Sequence, residues 1–123
     1  MSTTQKTIEE EVVIDASGKT LGRVASAAAT SLMGKDLVSF ERNAYSGRPV
    51  KIVNAGKIRI TKKKLEEIFH TRYSGYPGGL KILKGSYTVE KKGYAELIKL
   101  AIYHMLPGNK LRREMVKNLV VTE

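Results

Sequence analysis

"VVIDASGKTLGRVASAAATSLMG", residues 12–34, decides the fold. Its first five residues, "VVIDA" at 12–16, are a β-branched run of strand length, and "SGKT" after it supplies turn and helix-cap chemistry. Leu21, Val24, Ala25, Ala28 and Leu32 then recur at i, i+3, i+4, i+7 and i+11. That spacing predicts one apolar stripe on a helix, stopped by Gly34, with alanines that let it pack close.

The remainder repeats the alternation. "LVSFERNAYSGRPV", residues 37–50, carries strand-like and turn-like residues together and reads as an irregular connection. "VKIVNA" at 50–55 is a second β-branched strand, and "IRIT" at 58–61 alternates apolar and basic like a half-exposed one. "KKKLEEIFHTRYS" is compatible with helix or strand, with strand favoured for residues 67–73, where aromatic and β-branched residues gather. Tyr94, Leu97, Ile98, Ala101 and Met105 form a second helical stripe, ended by Pro107 and Gly108. Asn109 can cap a short third helix with Leu111 and Met115 inward, and "LVVT" reads as a last strand. The expectation is one α/β domain over residues 8–123 after a loose segment 1–7, with a small, mostly parallel sheet covered by helices.

Charge sets the function class. Twenty-two Lys and Arg stand against twelve Asp and Glu, for a net charge of +10. Residues 1–56 hold seven basic and six acidic side chains, whereas 57–98 hold ten and four, so the excess sits in the second half. Such a balance points to a polyanionic partner. No cysteine is present, and His70 and His104 stand apart without a carboxylate cluster, so no metal or cofactor is expected. The longest apolar run, "LIKLAIYHML", is broken by Lys99 and is far short of the roughly 20 residues a membrane span needs. With "IEEE" near the start in place of a secretory signal, a cytoplasmic protein is expected.

Three chemistries compete. "GKT" at 18–20 lies where a phosphate-binding loop would, but the Gly required five positions before the Gly-Lys pair is Val13, so nucleotide hydrolysis is disfavoured. His70 beside Glu66 and Glu67, with Ser74 four positions on, lacks the second site a catalytic constellation requires. Nucleic-acid binding has the better warrant. Lys62, Lys63 and Lys64; Arg72, Lys81 and Lys84; and Lys110, Arg112, Arg113 and Lys117 form three basic groups interleaved with Tyr73, Tyr76 and Tyr87. Lysine and arginine neutralise phosphates, and tyrosine rings stack on unpaired bases. "RYSGYPGGLK" at 72–81 adds a glycine turn through which backbone can approach RNA closely. The patterns of the common sequence-reading modules are missing, which leaves recognition by backbone and shape.

"VIDASGKTLGRVAS", "VNAGKIRIT", "HTRYSGYPGGLK" and "MLPGNKLRREMVKNLVV" together resemble the bacterial-type ribosomal protein thirteen family of the large subunit, in order and spacing, over about residues 13–121. The resemblance implies a three-layer fold with a four-stranded sheet and helices on both faces. It further implies binding to large-subunit ribosomal RNA, a structural role early in subunit assembly, neighbouring large-subunit proteins as partners, and neither catalysis nor a small-molecule substrate. The RNA-facing positions it implies are Lys19 and Arg23; Lys62–Lys64; His70, Arg72, Tyr73, Ser74, Tyr76, Gly78, Gly79 and Lys81; and Lys110, Arg112, Arg113 and Lys117, to which the charge pattern adds Lys84. The chain departs from the family pattern at 34–51, in "TKKKL", where the family has Gly after Thr, and in ending at "VVTE". A free-standing RNA regulator on the same domain is the alternative.

Overall fold

β-Branched residues at alternate positions build the central sheet. In the computed structural model, which describes residues 11–38, 40–44 and 47–123, strand β1 is Val12–Asp15, β2 is Val50–Val53 and β5 is Leu119–Val121. The three are parallel in the order β1-β2-β5, with Val12 beside Val50 and Val50 beside Leu119. Thr122 fastens the edge: its N–H and its hydroxyl both donate to the Ile52 carbonyl, at 2.8 and 3.1 Å. The segment 1–7, expected to be loose, lies outside the described residues.

Helix α1, Leu21–Met33, buries the five stripe residues foreseen from the sequence and ends on Gly34 in the left-handed region at φ 80°. It packs against α4, Tyr94–Met105, and the two helices bring Ala25 and Ala28, both fully buried, into one core with Leu97, Ile98 and Ile102. Small residues on α1 permit that close approach, and the core continues into Leu32, Val50 and Ile52. The stripe on α4 is displaced by one step from expectation. Ile102 is buried at its C-terminal end, while Met105 is exposed and accepts a long hydrogen bond from the Ser26 hydroxyl at 3.7 Å.

Between these elements lie a 3₁₀ turn, Ala55–Lys57, then α2, Lys62–Glu67, a hairpin of β3, Phe69–Tyr73, with β4, Leu80–Lys84, and helix α3, Gly85–Lys92. A short α5, Arg112–Lys117, precedes β5. Asn109 does not cap α5 as expected: it lies three residues before Arg112, and its Oδ1 accepts from the Leu111 N–H at 3.1 Å in the turn that leads into the helix, whose N-cap is Leu111.

Two expectations about the sheet are corrected. "IRIT" does not form a fourth strand. Ile58 is buried and Arg59 exposed, as the alternation foretold, but the segment pairs only as an isolated bridge between Arg59 and Thr20 before Thr61 caps α2. The β3–β4 hairpin is antiparallel and forms a separate two-stranded sheet. Nor, among the described residues, do helices cover both faces. Val12, Ile14, Ile52 and Leu119 face the helices, whereas Val13 and Val120 on the reverse side stay 60% and 50% exposed. Topology supplies the reason: β1, β2 and β5 are laid down in one direction across the sheet, and right-handed crossovers that never reverse direction put the helices packed on it, α1 and α4, on one side.

Candidate nucleic-acid interface

The turn after β1 is built by a carboxylate. Asp15 Oδ1 accepts from the Ser17 N–H at 2.9 Å and from Asn54 Nδ2 at 3.0 Å. The Asn54 hydrogen bond, followed by that of Ser17, holds the Asp15 carboxyl below its ordinary value. The Ser17 N–H, which a phosphate cradle would have to offer a nucleotide, is therefore already taken, and "GKT" serves as a strand-to-helix turn. Lys19 and Arg23 emerge from it, both exposed, and line an open concavity of about 630 Å³.

Arg59 joins them there, a third cation that the sequence reading left out. Its N–H donates to the Lys19 carbonyl at 2.9 Å, so the bridge that replaces the expected fourth strand brings it to Lys19 from 40 positions away. The signal was present in the outward phase of "IRIT", but only the pairing fixes its neighbour.

Lys62, Lys63 and Lys64 occupy the first turn of α2 and are exposed; the Thr61 hydroxyl caps them by accepting from the Lys64 N–H at 3.3 Å. Cations gain nothing from the helix dipole at that end. Their clustering is not a device for helix stability. Lys63 lies 4.0 Å from Glu67, one turn on, in a solvent-exposed pair that contributes little.

The hairpin sorts its residues by face. His70 and Arg72 alternate with Phe69, Thr71 and Tyr73, and the register sets Arg72 directly opposite Lys81. Two cations facing each other across a ladder destabilise it in the absence of an anion. The other face carries Phe69, Tyr73, Leu80 and Ile82, all exposed, with Lys84 at its end. Residues 74–79 connect the strands with Gly78 at φ 78°, and Gly79 is pressed against Ser74 so closely that an added Cβ would run into the Ser74 hydroxyl. Ser74 thus shapes the loop from within, while Tyr76 projects with 76% of its surface exposed.

His70 is less open than the sequence suggested. Its ring stacks on His104 of α4, with centroids 5.3 Å apart and planes within 3°, and its Nε2 is enclosed without a hydrogen-bond partner. Burial, with the charge of His104 second, lowers its pKa from the ordinary histidine value.

The four basic residues in and just before α5 separate. Lys110, Arg113 and Lys117 line a broad concavity of about 730 Å³ together with Asn109 and Glu114. Arg112 turns away and lays its guanidinium over the Tyr103 ring, 4.0 Å from the centroid. Among the described residues the ion pairs are Arg48 with Asp36 and Lys63 with Glu67, so apart from Lys63 the cations named here form no direct ion pair with a described carboxylate. Among those residues no group of three or more His, Cys, Asp or Glu could hold a metal ion, and no helix is long and apolar enough to cross a membrane.

The family model for ribosomal protein L13 matches residues 9–123. The large ribosomal subunit protein uL13 of Thermus thermophilus is 46% identical over 113 residues, covering 89% of this chain and 78% of that protein. Its counterparts from Moorella thermoacetica and Roseobacter denitrificans are 44% and 43% identical over 110 residues, with 89% of this chain and 75% and 71% of theirs covered. The concavities behind β1 and around α5, the lysines of α2 and the glycine hairpin thus sit within a match that takes in every described residue, and the chain belongs to the ribosomal protein L13 family.

Proposed function

We infer that the chain is a structural constituent of the large ribosomal subunit, without catalytic activity, that binds large-subunit ribosomal RNA and neighbouring subunit proteins. Its work is electrostatic: phosphates that would repel one another are neutralised where RNA segments converge, which stabilises a junction early in subunit assembly. Lys19, Arg23 and Arg59 serve one contact, Lys62–Lys64 a second, Arg72 with Lys81 a third, and Lys110, Arg113 and Lys117 a fourth. The observation that carries this reading is the cross-strand pairing of Arg72 with Lys81. A like-charge pair in register costs stability on its own and is relieved by a phosphate seated between the two.

The outer hairpin face, with Phe69, Leu80 and Ile82 exposed, suits a protein neighbour better than a phosphate. Co-sedimentation tests the assignment. The protein should travel stoichiometrically with large subunits through a moderate-salt wash; release into the free pool would favour a free-standing RNA regulator.

A further inference from the structure

The inner face of the β3–β4 hairpin does not close on the helices beneath it, and a cleft of about 150 Å³ remains between β3–β4, α3 and α4. A cavity of that volume holds one six-membered aromatic ring, as the engineered benzene-binding cavity of about 150 Å³ illustrates. Drug-sized ligands need roughly twice the space or more.

Its walls and its charges point to different halves of one ligand. Leu83 and Leu100 give apolar walls, and Tyr87 of α3 adds an aromatic plane at the side, 48% exposed. Arg72, Lys91 and Lys92 add three cations to the lining against one carboxylate, Glu96, which is half-buried and has no ion pair among the described residues. Lys91 Nζ stands 6.0 Å from the Tyr87 centroid, so cation and stacking plane are adjacent. Inorganic phosphate would leave the ring and the leucines unused, and an apolar side chain would leave the cations unused. A ligand that joins an aromatic ring to a phosphate through a sugar uses both.

We propose that this cleft takes a single unstacked pyrimidine nucleotide, its ring against Tyr87, Leu83 and Leu100 and its phosphate on Arg72, Lys91 and Lys92. Glu96 accepts a hydrogen bond from a base amine or ribose hydroxyl. A purine, with two fused rings, overfills the space. The same chemistry arrives from two sources, an unpaired position in bound RNA or a free pyrimidine monophosphate. The first extends the RNA-binding reading above and rests on it.

Two arms test the proposal with the full chain. In the first, 15N-labelled protein is titrated with CMP, UMP, GMP and inorganic phosphate. A free-nucleotide source requires saturable shifts at Arg72, Tyr87, Lys91 and Leu100 with CMP and UMP, and at least tenfold weaker binding of GMP and phosphate. In the second, protein bound to large-subunit RNA is ultraviolet-crosslinked and mapped. An RNA source requires a crosslink from Tyr87 to one unpaired pyrimidine.

Tyr87→Ala should weaken whichever binding is seen by at least about fivefold, the range that loss of one base-stacking ring produces. Tyr87→Phe should restore it, and an unchanged melting temperature in both variants shows the fold intact. Lys91→Ala offers a second readout on the phosphate side. If pyrimidines bind no better than GMP and phosphate and no crosslink forms at Tyr87, the proposal is overturned. Should RNA binding itself survive in that case and still weaken on Arg113→Ala, only the cleft assignment fails and the RNA-binding reading stands.

Discussion

Replacing the two adjacent arginines of α5 one at a time should separate RNA contact from packing. Arg113 is exposed and lines the concavity with Lys110 and Lys117, whereas Arg112 is half-buried and stacks on Tyr103. Loss of one phosphate contact lowers the slope of log affinity against log salt by about 0.9 on duplex RNA, or about 0.7 on a single strand. Between about 50 and 200 mM salt the Arg113→Ala defect should therefore shrink by about 3.5-fold. Its folding stability should move by less than about 0.5 kcal/mol, as for other surface changes.

Arg112→Ala loses a cation–π contact of about 0.5–1 kcal/mol. At about 2.1 cal/mol/K per residue, a chain of 123 residues converts that to about 2–4 °C in melting temperature. Filter binding to large-subunit RNA over a salt series, with thermal melts by circular dichroism, reads both quantities. An unchanged salt slope for Arg113→Ala, or a melting loss in that variant larger than in Arg112→Ala, would refute the division of roles.

Three further expectations follow from the packing, the histidine stack and the loop. Leu97→Ala at the α1–α4 contact, where Leu97 is 1% exposed, should cost about 2–5 kcal/mol in a urea melt, and a cost below about 1 kcal/mol would mean that α1 does not seat there. Because the folded pKa of His70 is lowered, the unfolded chain takes up that proton first, so stability present above pH 6.5 should be lost as pH falls towards the folded value. His70→Phe should flatten that part of the melting-temperature profile; parallel profiles for the two proteins would contradict the buried stack. Gly79→Ala should distort the hairpin loop and weaken RNA binding severalfold while leaving the core melt in place, because its Cβ collides with Ser74. Ser74→Gly in the same chain should recover part of the binding, since the Tyr76 carbonyl stays 3.0 Å from that Cβ, and wild-type affinity in the single variant would show the turn to be built differently.

Legibility in the sequence followed the strength of local periodicity. α1 and the start of α4 were readable because their buried residues are apolar and recur with the helical period. α3 was not, since the residues it buries are Gly85 and Thr88; Gly85 is packed there because a Cβ would come within 2.9 Å of the Leu65 carbonyl. β4 escaped notice for the opposite reason. Its apolar Leu80 and Ile82 face solvent, which inverts the usual inside-out pattern. Residues 67–73 read as one strand, whereas Glu67 closes α2 and the strand begins at Phe69.

From sequence alone came the α/β class, the polyanionic partner, the lack of thiol chemistry and the family. All of these depend on composition, local spacing or ordered motifs. Tertiary structure alone decided that helices cover one face of a three-stranded sheet, that Arg59 joins Lys19 and Arg23, that Arg112 leaves the group formed by Lys110, Arg113 and Lys117, and that the hairpin has a basic and an apolar side. Each of these turns on which distant backbone groups pair and in what register. A one-residue slip in β3 would exchange Arg72 with Thr71 or Tyr73 across the hairpin, and nothing in local periodicity penalises that slip until both faces have met their neighbours.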